Sequence, residues 1–285
     1  MNVTTVATQH FPRLVKIRRR ARSSWRRIGE QTRFYGTTIV SLFDACVYYR
    51  AELLRQVAAM SLGTGALAAI GGTVAVVAFL TMSTGGLIAA QGYNQFSQVG
   101  VDALVGFASA FLNTRLITPT TAAIALAATI GAGATAQLGA MRVNEEIDAL
   151  EVMGVRSIAY LASTRLVAGV VVVLPLYSVA LILAYFAARF GTTAIYGQSS
   201  GVYNHYFNTF LVPADVIRSF TVTTVAAATV MLIHTYYGYT ASGGPAGVGE
   251  AVGRATRTSL VATALLILFV SLAIYGQTGQ FNFSG

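Results

Sequence analysis

M-R-V-N-E-E-I-D-A-L-E-V-M-G, residues 141 to 154, is the stretch on which the reading of this chain turns. It holds four of the ten acidic residues, Glu145, Glu146, Asp148 and Glu151, between long runs almost free of charge. A short charged segment between apolar runs long enough to cross a bilayer is a water-facing island in a membrane protein. Asn144 is expected to cap a short helix, with Glu145 and Glu146 in its first turn, where the helix dipole favours anions, and Gly154 to end it. On that helix Val143, Ile147 and Leu150 form an apolar stripe, and Glu145, Asp148 and Glu151 fall on another face. Pattern alone leaves two readings: a helix that docks onto another protein, or a charged loop that stays wet.

Composition agrees with a membrane protein. Hydrophobic residues make up 55% of the chain and charged residues 10%, against about a quarter charged in soluble domains. Eleven of the nineteen Lys and Arg lie in the first 55 residues, against three acids. Arg13 to Arg27 carries eight basic residues and no acid; with an apolar chain following, anionic lipid is the expected partner and nucleic acid is not. No signal peptide is expected, and the basic segment is placed on the cytoplasmic side. The single cysteine, Cys46, allows no internal disulfide or cysteine metal cluster and reads as a small buried hydrophobe.

The chain divides into a basic segment, 1–32, an amphipathic interfacial helix, 33–56, a five-span domain, 57–276, and an outer tail, 277–285. Ile39, Leu42, Cys46, Tyr49 and Leu53 recur at helical spacing and are expected to form the buried stripe of the interfacial helix. The spans are predicted at 57–82, 101–140, 167–188, 216–239 and 259–275, with a loop at 83–100. The second run is too long for one straight crossing, so Pro119 is expected to break it. Its I-G-A-G-A-T-A-Q-L-G-A segment, Ile130 to Ala140, would let another helix approach closely, in a dimer or internally. Tyr196 to Phe210 is expected to hold a short interfacial helix. Five spans place Arg142, Arg156, Arg165, Arg254 and Arg257 inside with the N-terminus, leave the outside loops proper without a basic residue, although Arg189 and Arg218 sit at span ends, and put the C-terminus outside, in keeping with the positive-inside rule.

Little catalytic chemistry is present. The only lysine is Lys16, so a G-x-x-x-x-G-K-[ST] phosphate loop is impossible, and any driving ATP must bind another subunit. His10, His205 and His234 belong to no H-E-x-x-H motif, so a zinc hydrolase is not expected; His234 reads as a packed or interfacial residue. Gly243, Gly244, Gly247, Gly249 and Glu250 lie in a glycine-rich turn, Ser242 to Gly253, expected to lead into a short helix; Gly247, Gly249 and Gly253 give G-x-G-x-x-x-G, but no strand precedes them, so a dinucleotide site is not expected. Asp102 and Arg115 are the candidate intramembrane charges. Arg115, with Pro119, is a candidate for a lipid cavity or a subunit interface, against snorkelling or pairing within the subunit.

N-E-E-I-D-A-L-E-V-M-G, preceded by G-A-G-A-T-A-Q-L-G-A-M-R and followed by L-A-S-T-R, resembles a signature of the MlaE/YrbE permeases, and G-G-P-A-G-V-G-E-A-V-G resembles their second. The forms are most similar to the YrbE subunits of actinobacterial Mce (mammalian cell entry) systems. The resemblance implies an all-α, five-span permease of an ABC-type lipid importer in the inner membrane, and not an enzyme. Two permease subunits, the second a YrbE paralogue, would sit over a cytoplasmic ATPase dimer that binds ATP and Mg, and MCE-domain proteins would form a lipid tunnel on the outer side. Fatty acids, mycolic acids or sterols are the implied cargo. Arg142, Glu145, Glu146, Asp148, Leu150 and Glu151 would then couple to the ATPase. One departure stands out: Arg115-Leu116-Ile117-Thr118-Pro119 replaces a common R-E-L-G-P, which leaves the family's glutamate without a counterpart. The alternative is a self-sufficient secondary transporter or channel for amphiphiles.

Overall fold

The computed structural model describes residue 26, residues 28–62 and residues 72–276. The basic segment before Arg26, the link 63–71 and the tail 277–285 lie outside the described residues. Ten helices in chain order account for the rest: α1 (28–40), α2 (Leu42–Val47), α3 (Arg50–Leu62), α4 (Gly72–Gln98), α5 (Asp102–Val143), α6 (Glu146–Val152), α7 (Ile158–Ile195), α8 (Ser200–Phe210), α9 (Pro213–Tyr239) and α10 (Gly244–Tyr275). Five of them, α4, α5, α7, α9 and α10, are long and apolar enough to span a membrane. No strand occurs among the described residues. The molecule is an all-α, multi-pass membrane protein, as expected of a chain whose backbone polar groups must be satisfied without water.

The span boundaries move. The first spanning helix begins at Gly72 rather than at residue 57, and it runs through the loop predicted at 83–100. Residues 57–62 belong instead to α3. Pro119 does not break the second span: α5 is continuous over 42 residues. A π-helical stretch at Ser109–Ile117 runs directly into the α-helical segment that has Pro119 in its first turn. The wider turn accommodates a ring and a missing N–H that would clash with a regular preceding turn. A second π stretch occupies Ala127–Gly131. At the other end of the chain α10 starts at Gly244, so most of the glycine-rich turn is already helix.

The N-terminal helices correct another expectation. Ile39 is half exposed and Cys46 is exposed, whereas Phe34, Thr38, Ser41 and Ala45 are buried. Of the predicted stripe, Leu42 and Leu53 pack partly against the core. The face of α1 and α2 turned to the protein thus sets the small or polar Thr38, Ser41 and Ala45 beside Phe34, with Ile39, Val40 and Phe43 pointing away. That inversion suits a helix whose outer surroundings are as apolar as its interior.

Small residues set the packing. A Cβ on Gly85 would come within 2.3 Å of the Ala184 carbonyl oxygen, so α4 lies backbone to backbone on α7. At Gly131 a Cβ would fall 2.7 Å from the His234 ring. His234 is fully buried; its Nδ1 lies 2.7 Å from Thr135 Oγ1 and its Nε2 3.1 Å from Ser259 Oγ, so one side chain ties α9 to α5 and α10. Within Ile130 to Ala140, Gly131, Thr135, Leu138 and Gly139 face inward, while Gly133, Ala136, Gln137 and Ala140 are exposed. The small-residue run therefore serves internal packing on one face and leaves an open stripe on the other.

Gly85→Val should lower the detergent-solubilised thermal midpoint, since forcing side-chain volume into a packed contact costs about 1–3 kcal/mol. Gly86→Val, whose Cβ would meet nothing within 4 Å, should leave it nearly unchanged. Thermal scans of the two variants beside the parent check this.

Candidate functional site

The acidic island is a short helix suspended between two spans. Asn144, expected to cap the island helix at its start, instead ends α5. Glu145 then reverses the chain in a left-handed conformation, φ 60°, and α6 begins at Glu146. At the other end Gly154 terminates α6 as the sequence suggested: with φ 77°, its N–H bonds to the Glu151 carbonyl and that of Val155 to the Leu150 carbonyl. Those two bonds form a Schellman motif. Ile147 is fully buried against Leu138 and Leu161, with Leu150 partly buried beside it. The apolar stripe of α6 thus seats it on α5 and α7.

Its acids divide into two kinds. Asp148 accepts a hydrogen bond from Arg142 Nη1 at 2.6 Å, a partly exposed pair worth up to about 1 kcal/mol. Glu151 accepts from the Ser157 hydroxyl at 2.6 Å and from the Tyr239 hydroxyl at 2.9 Å. These two hydroxyls, Ser157 first, hold its carboxyl below the ordinary carboxylate range. Glu145 and Glu146 form no ion pair among the described residues; Glu146 accepts only a 3.3 Å bond from the Asn144 amide. Both are exposed, and so are Val152, at 90%, and Met153, at 68%. The free surface of α6 therefore combines two unpaired carboxylates with two bare apolar side chains.

The N-terminal helices brace this end of the bundle. Asp44 on α2 pairs with Arg156 at 2.8 Å, and Phe34 on α1 packs on Tyr236 and Tyr239. On α3, Glu52 is buried; burial alone would raise its carboxyl, and hydrogen bonds from Arg55 and Gln56 outweigh it and hold it below the ordinary range. Arg165, placed in a loop by the sequence reading, is 2% exposed, with Nη1 donating to the Leu161 carbonyl. The turn between α9 and α10 completes the end. Of the glycines predicted there only Gly243 precedes α10, with φ 92°, and Gly244 opens the helix with φ 70°. Gly247 is helical, and a Cβ there would strike the Ser242 carbonyl oxygen; Gly249 is open, and Glu250 pairs with Arg254 at 3.1 Å.

At the far end of the bundle Arg115 is paired within the chain. Its Nε donates to Asp215 Oδ2 at 2.9 Å, and Nη2 reaches the same oxygen. Arg218 holds the other oxygen at 2.9 Å, and the Arg115 guanidinium stacks on Phe111 and Tyr275 at 4.3 and 4.8 Å. Asp215 is only 5% exposed and lies in the first turn of α9. It is a buried charge at the head of a spanning helix that the sequence reading missed by starting the span at residue 216; its signal is that no other acid lies between Glu151 and Glu250. Leu116, beside Arg115, stays exposed, and the carboxylate that faces Arg115 comes from 100 residues away. Asp102 opens α5 at this same end. Pro119 is buried in the helix wall.

A cleft of about 480 Å³ lies between α3, α4, α5 and α10, lined by Gln56, Met60, Val76, Thr129, Gly133 and Val252 among others. It runs beside the open small-residue stripe of α5. Among the described residues no group of three His, Cys, Asp or Glu side chains could hold a metal ion.

Comparison with known proteins gives this arrangement a family. A family model described as Permease MlaE matches residues 63–273. A probable ABC transporter permease protein of Rickettsia bellii is 29% identical over 208 residues, which cover 70% of this chain and 75% of that protein. The chloroplastic protein TRIGALACTOSYLDIACYLGLYCEROL 1 of Arabidopsis thaliana is 28% identical over 167 residues, 59% of this chain and 48% of that one. Another probable ABC transporter permease, slr1045 of Synechocystis, is 26% identical over 186 residues, covering 65% and 71%. Five apolar helices, an acidic helix braced at one end of the bundle and a family match spanning most of the chain lead to one statement: the chain belongs to the MlaE family of ABC transporter permeases.

Proposed function

We propose that this protein is the permease subunit of an Mce-type lipid importer and that α6 is the surface on which a separate cytoplasmic ATPase dimer docks. The observation that carries this reading is the exposed face of α6, where Glu145, Glu146, Val152 and Met153 stand free while Ile147 fixes the helix to the bundle. Carboxylates around a bare apolar pair suit a groove with an apolar floor and basic rim. The chain carries a single lysine, Lys16, and hence no phosphate loop, so ATP and Mg belong to that partner. Docking there puts α6 and the α9–α10 turn in the cytoplasm, the N-terminal helices in the membrane interface on that side, and the far end with Arg115 outside the inner membrane. A second permease subunit, a paralogue of this one, would pack against the open stripe of α5 and the exposed side of α10. MCE-domain tunnel proteins would meet the far end. Lipid, whether a fatty acid, mycolic acid or sterol, would lie between the subunits near the cleft against α4, α5 and α10. The galactolipid in the Arabidopsis relative's name fits a lipid cargo.

In this scheme Asp148 and Glu151 keep α6 in shape and Glu145 and Glu146 meet the partner. Glu145→Lys with Glu146→Lys should abolish co-purification of the ATPase while the permease elutes normally; undiminished co-purification would exclude α6 as the docking surface. Tyr239→Phe removes one of the two hydroxyls on Glu151, so its carboxyl should titrate closer to its ordinary range. Because the folded carboxyl sits below that range, the hydroxyl clamp stabilises above the unfolded value and is lost as pH falls through the folded one. Docking should therefore stay constant from neutral pH down to the ordinary carboxylate range in the parent and weaken at a higher pH in the variant, as read by pull-down across a pH series.

Asp215→Asn leaves Arg115 and Arg218 without their shared counter-charge, and removing one partner of a buried pair costs on the order of 3 kcal/mol. Expression and thermal midpoint should fall, while Arg218→Gln, which spares the Arg115 contact, should be milder.

A further inference from the structure

The far end of the bundle carries a second polar recess that neither the coupling helix nor the Arg115 cluster explains. Its volume is about 430 Å³, and it lies where the end of α7 meets α8. Arg189, Asn204 and Asn208 supply its polar groups, and Tyr185, Phe186 and Phe207 much of its apolar wall. Arg189 is exposed and forms no ion pair among the described residues. The Asp215 carboxylate at this end is already shared by Arg115 and Arg218. Among the described residues neither Asn204 nor Asn208 has a side-chain hydrogen-bond partner. They stand four residues apart on α8, hence on one face.

The apolar side of the recess continues into the membrane. Ile182, Phe186 and Phe190 are all more than half exposed on α7 and recur at helical spacing on the side that carries Arg189. Phe186 and Phe190 are stacked, with ring centroids 6.0 Å apart. Arg189 lies six residues before the end of α7, about 9 Å along the axis at ~1.5 Å per residue. A cation at that depth, at the top of an apolar stripe, reaches the headgroup level.

We propose that this recess binds the phosphate of a membrane phospholipid in the leaflet at that end, with the Arg189 guanidinium and the Asn204 and Asn208 amides as donors and the acyl chains along Ile182 and Phe186. A guanidinium offers paired N–H donors to phosphate, and two neutral amides add donors without a competing charge. The occupant is a lipid rather than a soluble anion because the wall below the donors is apolar and faces hydrocarbon. The inference needs the chain to span a bilayer and does not depend on which lipid is transported or on the ATPase.

Native mass spectrometry of the full chain, purified with whatever subunits accompany it and titrated with phosphatidylglycerol, tests this. Arg189→Gln should lower occupancy of the tightest-bound lipid by about fivefold or more, as expected for loss of a charge-assisted phosphate contact. Arg189→Lys should retain most of it, and Asn204→Ala with Asn208→Ala should lower it by a smaller factor with the cation in place. Arg254→Gln, at the opposite end, should have no effect. Excess inorganic phosphate should not displace the lipid. Parent-like occupancy in both Arg189→Gln and the double asparagine variant, equal loss in Arg254→Gln, or displacement by inorganic phosphate would overturn the assignment.

Discussion

A buried imidazole in a bilayer has to find partners inside the protein, and His234 finds them on two other helices. Thr135 and Ser259 take one ring nitrogen each, and Gly131 leaves the space in which the ring lies. Without a hydrophobic drive between helices in lipid, such bonds and close backbone approaches hold the bundle together. Three of the five spans are registered at this single point. The island, the α9–α10 turn and the helix that carries Arg115 all hang from those spans, so their relative heights follow from it.

The same physics explains which parts of the fold were legible in the sequence. Charge contrast located the island and separated five apolar runs, because a bilayer penalises charge over a fixed thickness. It could not set the phase of the first run, since 46 residues between Arg55 and Asp102 carry no charge. Apolar periodicity misled at Ile39 and Cys46, where large side chains face outward and Thr38 and Ala45 face in. In water the buried face is the apolar one; in lipid, small and polar residues mark it. Pro119 misled for a related reason: a proline ends a helix when its neighbours cannot adapt, and here a π-helical stretch adapts.

The candidate site was legible in outline and not in its division of labour. Spacing placed Ile147 and Leu150 inward and Gly154 at the stop, which local rules decide. That Asp148 and Glu151 are engaged within the chain depends on Arg142 across a turn and on Tyr239, 88 residues further on. Asn144 suits either end of a helix, and only the left-handed turn at Glu145 shows which end it closes. Asp215 is the clearest omission. A span boundary set three residues late, at 216 instead of Pro213, left it in the loop, and with it went the partner that keeps Arg115 from being a free cation.

Helix α10 has a consequence of its own. Its 32 residues run as unbroken α-helix from Gly244 to Tyr275, with proline only in the first turn, whereas α5 and α7 contain π-helical stretches. At ~1.5 Å per residue it is a rod about 48 Å long. Its base sits beside α5 through Val248 against Gly139, and its tip stacks on Arg115 through Tyr275. A stiff rod does not absorb rotation along its length: a tilt of about 5° at the base moves the tip by about 4 Å over a span of that length. A small leverage at one membrane face therefore arrives at the other as a displacement larger than a hydrogen bond, without a relay of side chains between them.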